Sequence, residues 1–152
     1  MNQKWKAVIK RIHVYKRVLG VPYNIFISDD MLVFSYLTKD ALKETDRRLN
    51  EKVKGKSLTE RMEIITNHTY ELPDKYYAMD LDEILNEHPK NYQLQNHDIH
   101  LIRVSYPKTK DTENRRHAFF KVSTSSGNFD IKPVTTEDIN IFREIFKERM
   151  KF

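Results

Sequence analysis

Cysteine is absent from the 152 residues, which excludes disulfide bridges, thiol nucleophiles and thiolate metal sites and fits a cytoplasmic setting. Glycine is nearly as scarce, with only Gly20, Gly55 and Gly127. No phosphate-cradling glycine loop can be built from them, and the G-x-S-x-G turn of a serine hydrolase is missing. No apolar run approaches the roughly 18 residues of a membrane-crossing helix, and the N-terminus lacks the apolar stretch of a secretory leader. Internal repeats and low-complexity segments are also lacking.

What the chain does contain is apolar material, 39% of residues and 11% aromatic, against 32% charged. At this length a folded chain buries about 70% of its unfolded surface, so one domain over residues 1–152 is expected. The net charge of +5 is unevenly placed. Lys4, Lys6, Lys10, Arg11, Lys16 and Arg17 precede Ser28 with no acid among them, while the rest of the chain is slightly negative. A second basic concentration, Arg103, Lys108, Lys110, Arg115, Arg116 and Lys121, is offset only by Asp111 and Glu113. Local basicity of this kind attracts phosphate-bearing partners, nucleic acid or an anionic membrane surface, and equally describes a solvated face.

The last third has the clearest pattern. His117 to Thr124 is rich in aromatic and β-branched residues, Ser125-Ser126-Gly127-Asn128 has turn chemistry, and Phe129 to Lys132 resumes alternation. Pro133 should end that second strand, since it cannot donate to a ladder. Thr135 or Thr136 then caps a helix whose Ile139, Phe142, Ile145, Phe146 and Met150 share one face. Upstream, Tyr92 to Leu94 and Ile99 to Tyr106 flank an Asn96-His97-Asp98 turn, and Tyr23 to Ile27 and Met31 to Tyr36 flank Ser28-Asp29-Asp30. Between these β-rich regions, Thr38 opens a helix stopped by Gly55. Ser57-Leu58-Thr59-Glu60 starts a second, with Leu58, Met62 and Ile65 inward, and Asp80 to Asn86 forms a third. Residues 4–19 fit either a helix stopped by Gly20, with Trp5, Val8, Ile9, Ile12, Tyr15 and Leu19 on one face, or a strand through Ile12-His13-Val14-Tyr15.

The segments Gly20-Val21-Pro22-Tyr23-Asn24-Ile25-Phe26-Ile27-Ser28-Asp29-Asp30-Met31-Leu32-Val33 and Tyr92-Gln93-Leu94-Gln95-Asn96-His97-Asp98-Ile99-His100-Leu101-Ile102-Arg103-Val104, with the C-terminal hairpin and helix, resemble bacterial and archaeal PH-like and GRAM-like domains. The resemblance implies an α+β fold: a bent antiparallel β-sheet closed by the C-terminal α-helix, here with a helical insertion at about 38–89. It implies a first strand over Ile12 to Leu19. It also implies a scaffold that binds lipids, peptides or proteins without catalysis.

Catalytic and metal chemistry finds little support. His97 and His100 flank Asp98, but three residues apart on a strand they point to opposite faces, and Asp98 reads as a turn residue. Asp80, Asp82, Glu83 and Glu87 read as acids at a helix N-terminus, and Ser123, Ser125 and Ser126 as turn residues. Trp5 among lysines suits core burial or an interfacial anchor. The expectation is a non-enzymatic binding or scaffolding module with no cofactor and no metal. Its partner would be a protein or an anionic, phosphate-bearing surface, at Lys4, Lys6, Lys10, Arg11, Lys16, Arg17, Arg115 and Arg116. Nucleic-acid binding through the same basic segments is the alternative.

Overall fold

The computed structural model describes residues 5–62, 79–106 and 118–152. Three strands, β1 (Ala7–Tyr15), β2 (Gly20–Ile27) and β3 (Met31–Tyr36), are followed by helices α1 (Lys39–Val53) and α2 (Leu81–Glu87). Strands β4 (Tyr92–Gln95), β5 (Ile99–Ser105), β6 (Ala118–Thr124) and β7 (Gly127–Val134) come next. Helix α3 (Thr136–Phe146) and a short strand β8 (Met150–Lys151) end the chain. All eight strands join one sheet in the order β4-β3-β2-β1-β7-β6-β5-β8, antiparallel except for the parallel β5–β8 pair.

The sheet is strongly curled and open. Phe34 on β3 and Phe129 on β7 lie three strand positions apart, a separation of roughly 14 Å in a flat sheet, yet their ring centroids are 6.1 Å apart. Inward-facing Ile9, Ile25, Phe34, Ile102, Phe120 and Ile131 form the concave core. α3 completes it with Ile139, Phe142 and Phe146, and Phe142 meets Phe120 at 4.7 Å. The period-3.6 stripe thus marked an α-helix that fills the concavity of the sheet. Its N-terminus is a capping box: Thr135 Oγ1 accepts from the Asp138 N–H and Asp138 Oδ2 accepts from the Thr135 N–H.

The insertion also has a structural task. Ile84 of α2 is fully buried against Phe26 and Val33, which point outward from β2 and β3, with Val8 and Trp5 at the margin of this second core. Asp80 caps α2 in a capping box with Glu83, so the acids of this region stabilise a helix start. Asn91 ties the end of α2 to β3, donating to Ile84 O at 2.7 Å and accepting from the Tyr36 N–H at 2.6 Å. Trp5 donates to Met79 O at 2.9 Å, its ring 5.6 Å from that of Phe26.

Several expectations are corrected. The first strand runs from Ala7 to Tyr15 rather than Ile12 to Leu19. It carries a bulge, in which Lys10 and Arg11 face Asn24 alone, so Ile9 and Ile12 both point inward although three apart. That spacing is what imitated a helix. Pro133 does not end its strand: β7 continues to Val134, which pairs with Ala118, and a register shift between Ala118 and Phe120 removes the need for an N–H at Pro133. Met150 lies beyond α3, on β8, where its side chain still reaches the core. Leu58 and Met62 are exposed (77% and 59%) rather than inward, and Ile65 lies outside the described residues.

Candidate functional site

The convex side of the sheet is divided in two. Over β2 and β3 it is covered by α2 and Trp5. Over the later strands the register lays out the outward residues directly. One row reads Tyr15 on β1, Asp130 on β7, Lys121 on β6, Arg103 on β5 and Lys151 on β8. Lys121, Arg103 and Lys151 are all exposed. Like charges directly opposite one another in a sheet are destabilising, and Arg103 faces a cation on both sides. Asp130, opposite Lys121, is the one acid in the row.

The next row holds His13 and Lys132 as a pair, with Phe119 opposite Ser105 on the far side of the β6 register shift. The Lys132 ammonium lies 5.1 Å from the centre of the Tyr15 ring and 4.8 Å from that of Phe119. Lys121 approaches the same phenyl ring at 5.8 Å. Tyr15 in turn lies over Gly20, where an added Cβ would stand 2.4 Å from its Cζ. Glycine there is a packing requirement of the tyrosine ring.

The hairpin between β1 and β2 extends this surface. Val18 and Leu19 are 89% and 82% exposed at its tip, beside exposed Lys16 and Arg17. The Lys16 ammonium lies 5.7 Å from the Tyr92 ring at the rim of the concave core. There Tyr92 stacks on Phe34 at 4.5 Å, and burial raises the pKa of both Tyr92 and Tyr23. These phenols stay neutral.

Among the described residues, the expected basic side chains are distributed along the length of β1. Lys6 is held by Asp29 at 2.6 Å, an ion pair that raises the lysine pKa, while Lys16 and Arg17 stand at the other end of β1. An extended strand advances about 3.3 Å per residue, so cations contiguous in sequence are spread apart. Lys10 faces the Asp138 carboxylate electrostatically. Arg11 lies on β1, and its side chain is outside the described residues, as are Lys4, Arg115 and Arg116. The residues that do converge, Lys132, Lys121, Arg103 and Lys151, come from four strands. Only period-2 alternation hinted at them, and their adjacency depends on pairing order.

Other chemistry is sparse among the described residues. No cluster of three or more His, Asp or Glu residues is arranged to hold a metal. His97 lies 3.6 Å from the Asp98 carboxylate, and His100 Nε2 lies 3.1 Å from Ser125 Oγ on an exposed turn. A shallow groove along α1 is lined by Lys43, Arg47, Asn50 and Glu51, with Arg47 bonded to Glu44 and Glu51. Arg47 and Arg48 hold the Glu44 carboxyl down to about 2. No described helix is long and apolar enough to cross a membrane. Comparison with protein-family models and with curated proteins finds no match to this chain.

Proposed function

We propose that this protein is a non-enzymatic binding module that recognises an anionic, phosphate-bearing partner at the exposed cations on the convex face of its curled sheet. The observation that carries this reading is the row Lys121–Arg103–Lys151, three cations on adjacent strands with Asp130 as the single acid beside them. Three cations side by side cost stability in the free protein, and a polyanion laid across the strands would relieve the repulsion. The PH-like resemblance agrees with a binding scaffold on a bent sheet, although fold alone does not assign function.

Inorganic polyphosphate tests the reading without presupposing a biological ligand. Binding should weaken steeply as salt rises, and combined Arg103→Gln, Lys121→Gln and Lys151→Gln should reduce affinity at least ten-fold at low salt. Unchanged affinity in the triple variant would overturn it.

The exposed tip favours a second reading, peripheral docking on an anionic membrane. Val18 and Leu19 would enter the interface while Lys16 and Arg17 meet headgroups. Co-sedimentation with phosphatidylserine vesicles that is lost on Val18→Ser with Leu19→Ser would support it.

A further inference from the structure

Resting on the anion-binding reading, we infer that the partner is a single-stranded nucleic acid, whose bases stack on Tyr15 and Phe119 while its phosphates follow the cation row. Charge alone would be served by lysines and arginines anywhere on the surface. Here the cations are interleaved with aromatic rings on adjacent strands. Phe119 belongs to the strand that carries Lys121, and Tyr15 occupies the register position next to Asp130 in the cation row. Both rings are only partly buried on the outer face, and exposed His13 adds a third ring 6.3 Å from Tyr15.

In the free protein these rings are occupied by the protein's own cations, because Lys132 sits between Tyr15 and Phe119. Stacking of a nucleobase on an aromatic side chain is stronger than an exposed ammonium–ring contact. A base therefore displaces the ammonium. The released Lys132 and Lys121 side chains, long and flexible, are then free to pair with the phosphates on either side of the stacked base. The lysines act as place-holders that keep the apolar rings covered until the strand arrives. A bilayer makes no such use of rings lying along the face of a sheet, and double-stranded nucleic acid keeps its bases stacked within the helix, out of reach. Gly20 supports the arrangement from below, since its missing Cβ leaves the space in which the Tyr15 ring lies.

The test compares three probes on the full chain: a 12-nucleotide oligothymidylate, inorganic polyphosphate matched in charge, and phosphatidylserine vesicles. The oligonucleotide should bind more tightly than polyphosphate. Phe119→Leu, which keeps an apolar residue but removes the ring, should weaken oligonucleotide binding about five-fold or more while leaving polyphosphate binding unchanged. Gly20→Ala, which removes no surface group but displaces the Tyr15 ring, should act in the same selective way. Thermal unfolding of each variant confirms that it folds. If Phe119→Leu folds and binds both probes as the native protein does, or if polyphosphate and oligonucleotide bind equally, the stacking inference fails and anion binding stands. Binding to vesicles alone overturns it in favour of membrane docking. Binding to none of the three removes the anion-binding reading as well.

Discussion

At the scale of single residues, the half-buried carboxyl of Asp138 at the start of α3 and the buried amide of Asn96 in the β4–β5 turn illustrate how position sets chemistry. Asp138 closes the capping box of α3, and burial pushes its pKa above the ordinary carboxylate value, an effect the hydrogen bonds from Thr135 and the charge of Lys10 oppose. A carboxyl raised in the folded state stabilises fully below its unfolded pKa, near 3.9, and that contribution is lost as pH rises through the folded value. Asp138→Asn keeps an oxygen that can accept from the Thr135 N–H. It should be at least as stable as the native protein at pH 7 by urea unfolding, with the difference narrowing towards pH 3. Asn96, only 4% exposed, donates to Ser28 O at 3.2 Å and Asp29 O at 2.8 Å, and so joins the β2–β3 turn to the β4–β5 turn. The Asn-His-Asp signal identified a turn in sequence. It gave no indication that the asparagine bonds to backbone 68 and 67 residues away.

At the scale of elements, the C-terminal segment is held by a residue whose role alternation does not reveal. Arg149 donates to Asn96 O at 2.7 Å and Ile99 O at 3.1 Å, with its guanidinium 5.3 Å from the Phe146 ring. It thereby secures β8 beside β5 and links the end of α3 to the start of that strand. A basic residue just after a helical stripe suits the negative pole of the helix dipole. The 3-10 turn Lys147–Arg149 instead directs Arg149 across the sheet edge. Hydrogen bonds from a charged donor contribute about 1.5–3 kcal/mol, so Arg149→Met should lower unfolding free energy by about 2 kcal/mol. Arg149→Lys should recover part of that loss, because both bonds leave the single nitrogen Nη1 and an ammonium can also donate to two carbonyls. Equal stability of the lysine variant and the native protein would show that a point charge suffices.

At the scale of the whole molecule, the outer face conflicts with stability alone. Arg103 faces Lys121 on one side and Lys151 on the other. Arg103→Glu converts two repulsive cross-strand pairs into attractive ones, each worth about 0.2–1 kcal/mol. The variant should be more stable than the native protein by several tenths to about 1 kcal/mol in chemical denaturation, and should bind polyphosphate less well. A gain in stability coupled to a loss of binding is the expected signature of a surface retained for recognition. A variant that loses both would mean that Arg103 supports the fold itself.

Sequence by itself determined the local elements wherever periodicity and turn chemistry agreed. The Ser28-Asp29-Asp30 and Ser125-Ser126-Gly127 turns, the Thr38, Asp80 and Thr135 caps, and the Ile139–Phe142–Phe146 stripe all stand where nearest-neighbour physics places them. Where two local signals competed, as at Ile9 and Ile12, a bulge made a strand look helical, and only pairing with β2 decides between them. The candidate site was less legible still. Bases consecutive in sequence suggested a patch at Lys4 to Arg17, but an extended strand separates neighbours and aligns them with residues far along the chain. Strand order alone brings Tyr15, Lys132, Lys121, Arg103 and Lys151 onto one face, because cross-strand adjacency is a property of the pairing and of no single segment.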